Sequence, residues 1–363
     1  MSARTPVVLV TGIDSGAMAA TTVGLQWDLP QAVVVEHRLD VAEQRLTRLV
    51  SDASGVVEHV YHDLEHACVS CALREDVVPT LERLASSGRW RAVVAHLPLA
   101  AEAFQVCRVL AHDPQAAPSV AIHAVLAAVP GPQVLEDLLG DDLLEERGLH
   151  TGLGDRRGVA ETVSSLVEYA DVVVAVDDLD DPGADLLAAL ARPGIALTDP
   201  TQVDTSAVLR GVHDHGRTEA WVDVVREGPI PAVHSDHVWV AELRSERPLH
   251  PERLLDHIEV LGGGPRRSRG CFWLPTRPAD VGVWEGAGGQ LSVGSGVPWG
   301  TRSPLTRIVV TGVESESRRR RRQLADTFER CLLTDSEVAR RGMFWETDED
   351  GLEPWLGAIR GAA

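Results

Sequence analysis

Val7-Val8-Leu9-Val10 is an uninterrupted apolar run held between Pro6 and Thr11-Gly12. A strand with no polar alternation must be covered on both faces, which is the condition of a buried parallel sheet. The chain then turns through a glycine-containing loop, GIDSGAMAATT, into a helix predicted over 17–27. Ala32-Val33-Val34-Val35 reads as a second strand, followed by a helix over 40–51 carrying Val41, Leu46, Leu49 and Val50. Val56–Tyr61 is a third extended piece. The segment HDLEHACVSCALREDVVPTLERLASSG starts as a loop and becomes helical. Leu73, Val77, Leu81 and Leu84 fall on one face of it, and Pro79 is expected to kink or divide it. Arg91–Leu97 and Ser119–Val129 read as strands, Thr162–Ala170 as a helix and Asp171–Val176 as a strand. This alternation predicts an α/β fold with a mostly parallel sheet.

After Ile195-Ala196-Leu197 the pattern changes. Residues 209–235 hold His213, Asp214, His215, Gly216, Gly228, Pro229 and Pro231, and read as a linker. From Val238 the chain reads as a smaller α+β domain. A strand over 238–243 leads to a helix opened by Pro251. A strand carrying Cys271-Phe272-Trp273-Leu274 follows, then a strand pair around Gly288-Gly289, a strand over Arg307–Thr311 and a helix near 317–332. The 363 residues thus divide as 1–208, a linker over 209–235, and 236–363, in keeping with a length that favours two domains.

The chain has no Lys and no Asn, so all 34 basic residues are Arg. Any chemistry that needs a lysine ammonium is excluded, Schiff bases and Lys-bound phosphates included. The net charge of −20 repels nucleic acid and anionic membrane on average. Arg318–Arg322 is the exception. It reads as a solvated helix start, with a local phosphate or RNA contact as the alternative. No apolar run reaches the ~18 residues of a membrane span. The opening MSARTPVVLVTG has no secretory leader pattern, so a cytoplasmic protein is expected. Five scattered cysteines do not form a disulfide framework. Cys107, Cys271 and Cys331 lie among apolar residues and are expected in the core.

The loop after the first strand stands where a phosphate-binding P-loop belongs. Gly12, Gly16, Thr21 and Thr22 are the residues there that could meet a nucleotide. Met18, Ala19 and Ala20 occupy the region where Gly-Lys should lie. The strand over 91–97 ends His96-Leu97-Pro98-Leu99, without an acidic Mg²⁺ anchor, and a guanine-reading Asn-Lys-x-Asp is impossible here. Bound GTP with Mg²⁺ is therefore doubtful, and efficient phosphoryl transfer is not expected. The loop reads as a structural turn descended from a P-loop. The second constellation is His62-Asp63-Leu64-Glu65-His66-Ala67-Cys68-Val69-Ser70-Cys71. Two thiolates three apart, with His or Glu nearby, suit a tetrahedral zinc site. A redox pair and two ordinary thiols remain open alternatives. Glu36-His37 could reach the same point if the first three strands are neighbours. The clusters His213-Asp214-His215 and His234-Ser235-Asp236-His237 read as solvated linker.

TGIDSGAMAATT, VVVEH and ACVSCALREDVVPTL together resemble the CobW-type P-loop GTPases and metallochaperones, whose loop reads TGFLGAGKTT and whose cysteine motif is Cys-x-Cys-Cys. PLHPERLLDHI, RRSRGCFWLPTRP, VWEGAGGQL and CLLTDSEV resemble that family's C-terminal domain. The resemblance implies a P-loop GTPase-like domain over 1–208 and a CobW C-terminal-like domain over 236–363. It implies a zinc site on Cys68 and Cys71, with further ligands from Glu36, His66 and His62. Ser70 stands at the middle thiol of the motif. TPVVLVTG, VVVEHRLD and CVSCALREDVVPTL are most similar to the branch that recruits a ribosome hibernation factor. That likeness implies the small ribosomal subunit and a hibernation-promoting factor as partners under zinc limitation. The alternative is a GTP-dependent zinc metallochaperone.

Overall fold

The structure, a computed structural model, describes residues 4–64, 68–152, 154–230, 232–314 and 318–359. Two compact units divide the chain. One holds Met1–Asp137 and Asp142–Trp221, the other Leu138–Asp141 and Val222–Ala363.

The first unit is built on an eight-stranded sheet, in the order β4-β3-β2-β5-β1-β6-β7-β8. Its strands are β1 (Thr5–Gly12), β2 (Ala32–Asp40), β3 (Arg45–Asp52), β4 (Gly55–Asp63), β5 (Ala92–His96), β6 (Val120–Pro130), β7 (Val172–Val176) and β8 (Ala196–Thr198). From β2 to β8 the neighbours run parallel, while β3 and β4 are antiparallel additions. The run that opens the sequence explains the centre. Val7, Val8, Leu9 and Val10 are all fully buried. On one face Val8, Val10, Val94 and Leu126 pack with Met18 and Leu25 of helix α1 (Ser15–Asp28).

One expected helix needs correction, and one condition set on the sequence fails. Residues 40–51 do not form a helix: a turn leads into β3, which pairs with β2 and β4. Leu46 and Val50 are four apart, a spacing that suits one helix face and one strand face equally. Arg48 also finds Glu58 across the β3–β4 ladder at 2.8 Å, an option only a sheet offers. Nor are the first three strands neighbours, because β5 lies between β1 and β2.

Helix α2 (Val69–Ala72) continues through a single π turn, Leu73–Val77, into α3 (Val78–Ser86). Pro79 directly follows the π turn and has no N–H to offer the carbonyls of that turn, and the helix continues through it. Leu73, Val77, Leu81 and Leu84 are buried. The remaining helices of the unit are α4 (Ala103–His112), α5 (Val134–Leu139, which crosses the division), α6 (Val159–Tyr169), α7 (Asp181–Leu190), α8 (Thr205–Arg210) and α9 (His215–Val222). Residues 209–222 thus carry helix rather than open linker. His213 is buried, with its side chain 5% exposed, and its Nδ1 lies 2.9 Å from Asp171 Oδ2.

The second unit is a five-stranded antiparallel sheet in the order β12-β11-β10-β13-β9. These are β9 (Val238–Ser245), β10 (Arg266–Phe272), β11 (Gly282–Ala287), β12 (Gln290–Ser295) and β13 (Thr306–Val313). Helices α10 (Pro251–Gly262) and α11 (Arg318–Cys331) share its core, where Leu254, Leu324 and Phe328 meet Trp239, Phe272 and Trp284. Gly270 is obligatory there, since it has φ +151° and a side chain would strike the Arg307 carbonyl at 1.9 Å. Short helices α12 (Asp335–Arg341) and α13 (Glu353–Leu356) follow. Cys107, Cys271 and Cys331 are buried, as expected. Among the described residues no helix is long and apolar enough to cross a membrane.

Candidate metal pair and closed phosphate loop

The β1–α1 loop has the position of a P-loop but not its chemistry. Gly12 ends β1 so close to β6 that a Cβ would stand 2.6 Å from the Ala128 carbonyl oxygen. The segment after β5 is tied to the same point, with Leu97 N donating to Val10 O at 3.0 Å and Ala100 N to Gly12 O at 2.8 Å. At the mouth of α1, Asp14 is the N-cap, and its Oδ1 accepts from Ala17 N at 2.7 Å. The protein's own carboxylate therefore occupies a donor that a P-loop turns toward phosphate. Met18, in the region of the phosphate-binding lysine, is fully buried in the core. Thr21 Oγ1 donates to Ala17 O at 2.9 Å, and Thr22 Oγ1 lies 3.2 Å from His96 Nδ1. Gly16 is exposed at the first turn. Of the four nucleotide candidates, both threonine hydroxyls are thus engaged inside the protein.

Beside this loop the sheet edge opens a cavity of about 170 Å³, with Ser15, Glu36, His37, Arg38, His96 and His150 in its lining. Glu36 and His96 are register partners across β2 and β5. Burial pushes the His96 imidazole below its ordinary value, so it is neutral at physiological pH. Glu36 Oε1 accepts from Arg38 Nε at 2.5 Å. On the other face of β2, His37 Nε2 lies 2.9 Å from Asp76 Oδ1, and Arg48 Nη1 lies 2.5 Å from Asp76 Oδ2. Burial raises the Asp76 carboxyl, but the His37 and Arg48 hydrogen bonds outweigh it and hold the group at about 2. His62 Nε2 approaches the same carboxylate at 3.2 Å.

Cys68 and Cys71 are brought together at the start of α2, with their sulfurs 3.0 Å apart. Cys68 is the N-cap, and its sulfur accepts from Cys71 N at 3.2 Å. Both thiols are partly accessible. The hydrogen bond to Cys68 and partial burial hold the Cys71 thiol above its ordinary value. Ser70 Oγ donates instead to Gln105 Oε1 at 2.9 Å. Two converging sulfurs fit half of a tetrahedral thiolate site. Among the described residues no third His, Cys, Asp or Glu completes a cluster with them. Glu36 is paired with Arg38, His62 with Asp76, and His66 lies outside the described residues. His37, which the sequence offered beside Glu36 for the metal point, is instead bound to Asp76. Asp14, Asp76 and His150 were not singled out as functional from the sequence, because their partners are distant along the chain.

A mostly parallel sheet unit with a P-loop-type glycine turn and a Cys-x-x-Cys helix start, together with an antiparallel C-terminal unit, defines a two-unit α/β class. Residues 239–332 match the family described as the cobalamin synthesis protein cobW C-terminal domain. The zinc chaperone Rv0106 of Mycobacterium tuberculosis is 30% identical over 331 residues, covering 86% of this chain and 78% of the relative. The zinc-regulated GTPase metalloprotein activator 1 of Dictyostelium discoideum is 19% identical over 285 residues, 73% of this chain and 58% of the relative. The crystal structure of Zn(II)-bound YjiA GTPase from E. coli covers 92% of this chain and is itself covered in full, at 15% identity and a TM-score of 0.35. The chain belongs to the CobW-type P-loop family.

Proposed function

We propose that this CobW-type protein is a zinc-responsive accessory factor that holds Zn²⁺ on Cys68 and Cys71 and turns over little or no GTP. The observation that carries the reading is the pairing of two converged thiols with a phosphate loop that Asp14 caps and Met18 leaves without a cation. Phosphoryl transfer depends on fixed positive charge at the β- and γ-phosphates, and this loop supplies none. When bound, zinc would cross-link the start of α2 to whichever donors complete its shell. Cys68 and Cys71 would give up their protons to bind it.

The same reading assigns the protein to recruitment of a hibernation factor to the small ribosomal subunit in the cytoplasm when zinc is scarce. Support comes from the likeness of TPVVLVTG, VVVEHRLD and CVSCALREDVVPTL to that branch. A site with two thiolates binds more weakly than one with three, so it empties earlier as zinc falls. Co-sedimentation with small subunits from zinc-starved and zinc-replete cells tests this. Enrichment in the starved ribosomal fraction is expected, and absence from that fraction in both states overturns recruitment. A GTP-dependent zinc metallochaperone is the second reading, favoured by the zinc chaperone at 30% identity. It would require GTP turnover linked to release of zinc.

A further inference from the structure

We propose that the arginine turn opening α11 is a docking surface for the phosphodiester backbone of a nucleic acid. The five consecutive arginines Arg318–Arg322 do not share one role. Arg321 is anchored, gripping Glu314 with Nη1 at 2.9 Å and Nη2 at 3.0 Å. Its guanidinium lies 5.5 Å from the centre of the Trp239 ring. Arg318, Arg319 and Arg322 are exposed and make no ion pair among the described residues. Spacings of three and four residues put these side chains on one helix face, about 5–6 Å apart at Cβ. The buried face of α11 is a different one, made of Leu324, Thr327, Phe328 and Cys331.

The arrangement is unfavourable for the protein alone. Like charges at three- and four-residue spacing repel, and cations in the first part of a helix oppose its dipole. No acidic residue stands in the first turn of α11 to relieve them. Positive charge is concentrated here in a chain of net charge −20, so the complementary occupant is a dense anion. Phosphodiester fits better than the alternatives. Each nucleotide presents a charge, and the planar guanidinium takes phosphate oxygens two at a time. No large apolar side chain is exposed on α11, so the turn has nothing to insert into a lipid surface. The ribosome reading decides only which nucleic acid this is; the surface itself does not rest on it.

The test is binding of the full-length protein to a labelled single-stranded RNA oligonucleotide, followed by anisotropy from low to physiological salt. Three contacts predict a slope of log affinity against log salt of about −2. The triple variant Arg318→Gln, Arg319→Gln, Arg322→Gln is expected to lose roughly tenfold or more in affinity and most of the slope. Its melting temperature should be unchanged or raised, which separates lost contact from lost fold. Equal binding to DNA of the same length supports phosphate reading without use of the 2′-hydroxyl. Salt-insensitive binding, a triple variant that binds like wild type, or binding only to phosphatidylserine vesicles would overturn the proposal. RNA binding without ribosome co-sedimentation leaves this surface standing and removes recruitment. Co-sedimentation without RNA binding does the reverse.

Discussion

Asp14 Oδ1 accepts a hydrogen bond from the backbone N–H of Ala17 at 2.7 Å, so the first turn of α1 is capped by an anion from its own chain. An incoming phosphate must displace that carboxylate and find no lysine behind it. GTP hydrolysis is therefore expected to be no faster than a protein-free control at physiological Mg²⁺. The measurement is phosphate release over hours with fresh protein. Clear turnover that disappears in Thr21→Ala and Thr22→Ala variants would favour the metallochaperone reading.

Restoring the missing cation should not restore the site. Met18 is fully buried and packs in the cluster that includes Val10, Leu25 and Leu126. Met18→Lys places an unpaired ammonium there and is expected to destabilise the fold by about 3–5 kcal/mol, the range for an uncompensated buried charge. Chemical denaturation measures the loss. A Met18→Lys protein as stable as wild type, with new GTP affinity, would show that the loop can open and admit phosphate.

His213 closes the end of the first unit onto the sheet through Asp171, which also takes Arg192 Nη2 at 2.5 Å. Burial lowers the imidazole, but the Asp171 hydrogen bond outweighs it and raises the group to about 10. A raised histidine contributes stability that is complete below its unfolded value of ~6.5 and fades as pH rises toward 10. Wild type should lose melting temperature across that interval, and His213→Gln should flatten the loss. Asp171→Asn, which strands two buried cations, should cost about 3–5 kcal/mol.

Asp76 works at the acid end. Its carboxyl is held at about 2, so its contribution is complete above ~4 and is lost as pH falls through 2. The depression corresponds to about 2 kcal/mol at neutral pH. Asp76→Asn should remove that amount and reduce the acid sensitivity of stability between pH ~4 and ~2. Urea midpoints at pH ~6 and ~3 compare the two proteins directly.

Much of the architecture was legible because strands buried on both faces leave runs such as Val7–Val10 that few other elements tolerate. The helix through Leu73, Val77, Leu81 and Leu84 was legible from its period, while Pro79 coincides with a π turn rather than a division. β3 was not, since Leu46 and Val50 satisfy two periods at once and only the partner strands decide between them. His213-Asp214-His215 looks solvated because local polarity is all that a sequence displays, whereas Asp171 lies 42 residues away. The same limit hid Asp14 as a cap and Asp76 as the partner of His37. Cys68 and Cys71 were legible as a pair because three residues of helix start bring them together without help from elsewhere.

That pair carries the remaining prediction. One Zn²⁺ is expected to bind wild type, and Cys68→Ala and Cys71→Ala should each weaken it by more than roughly tenfold. Changes outside a ligand shell already cost that much, and these remove ligands. Ser70 stands between the two cysteines, and its hydroxyl is bonded away to Gln105 at 2.9 Å. Ser70→Cys offers a third sulfur in the same turn and should tighten zinc, while the two alanine variants loosen it. Zinc titration against a competing chelator orders the four proteins. If both alanine variants bind as tightly as wild type, the metal lies elsewhere. His213 is committed to Asp171, which leaves His234 and His237 as the next donors.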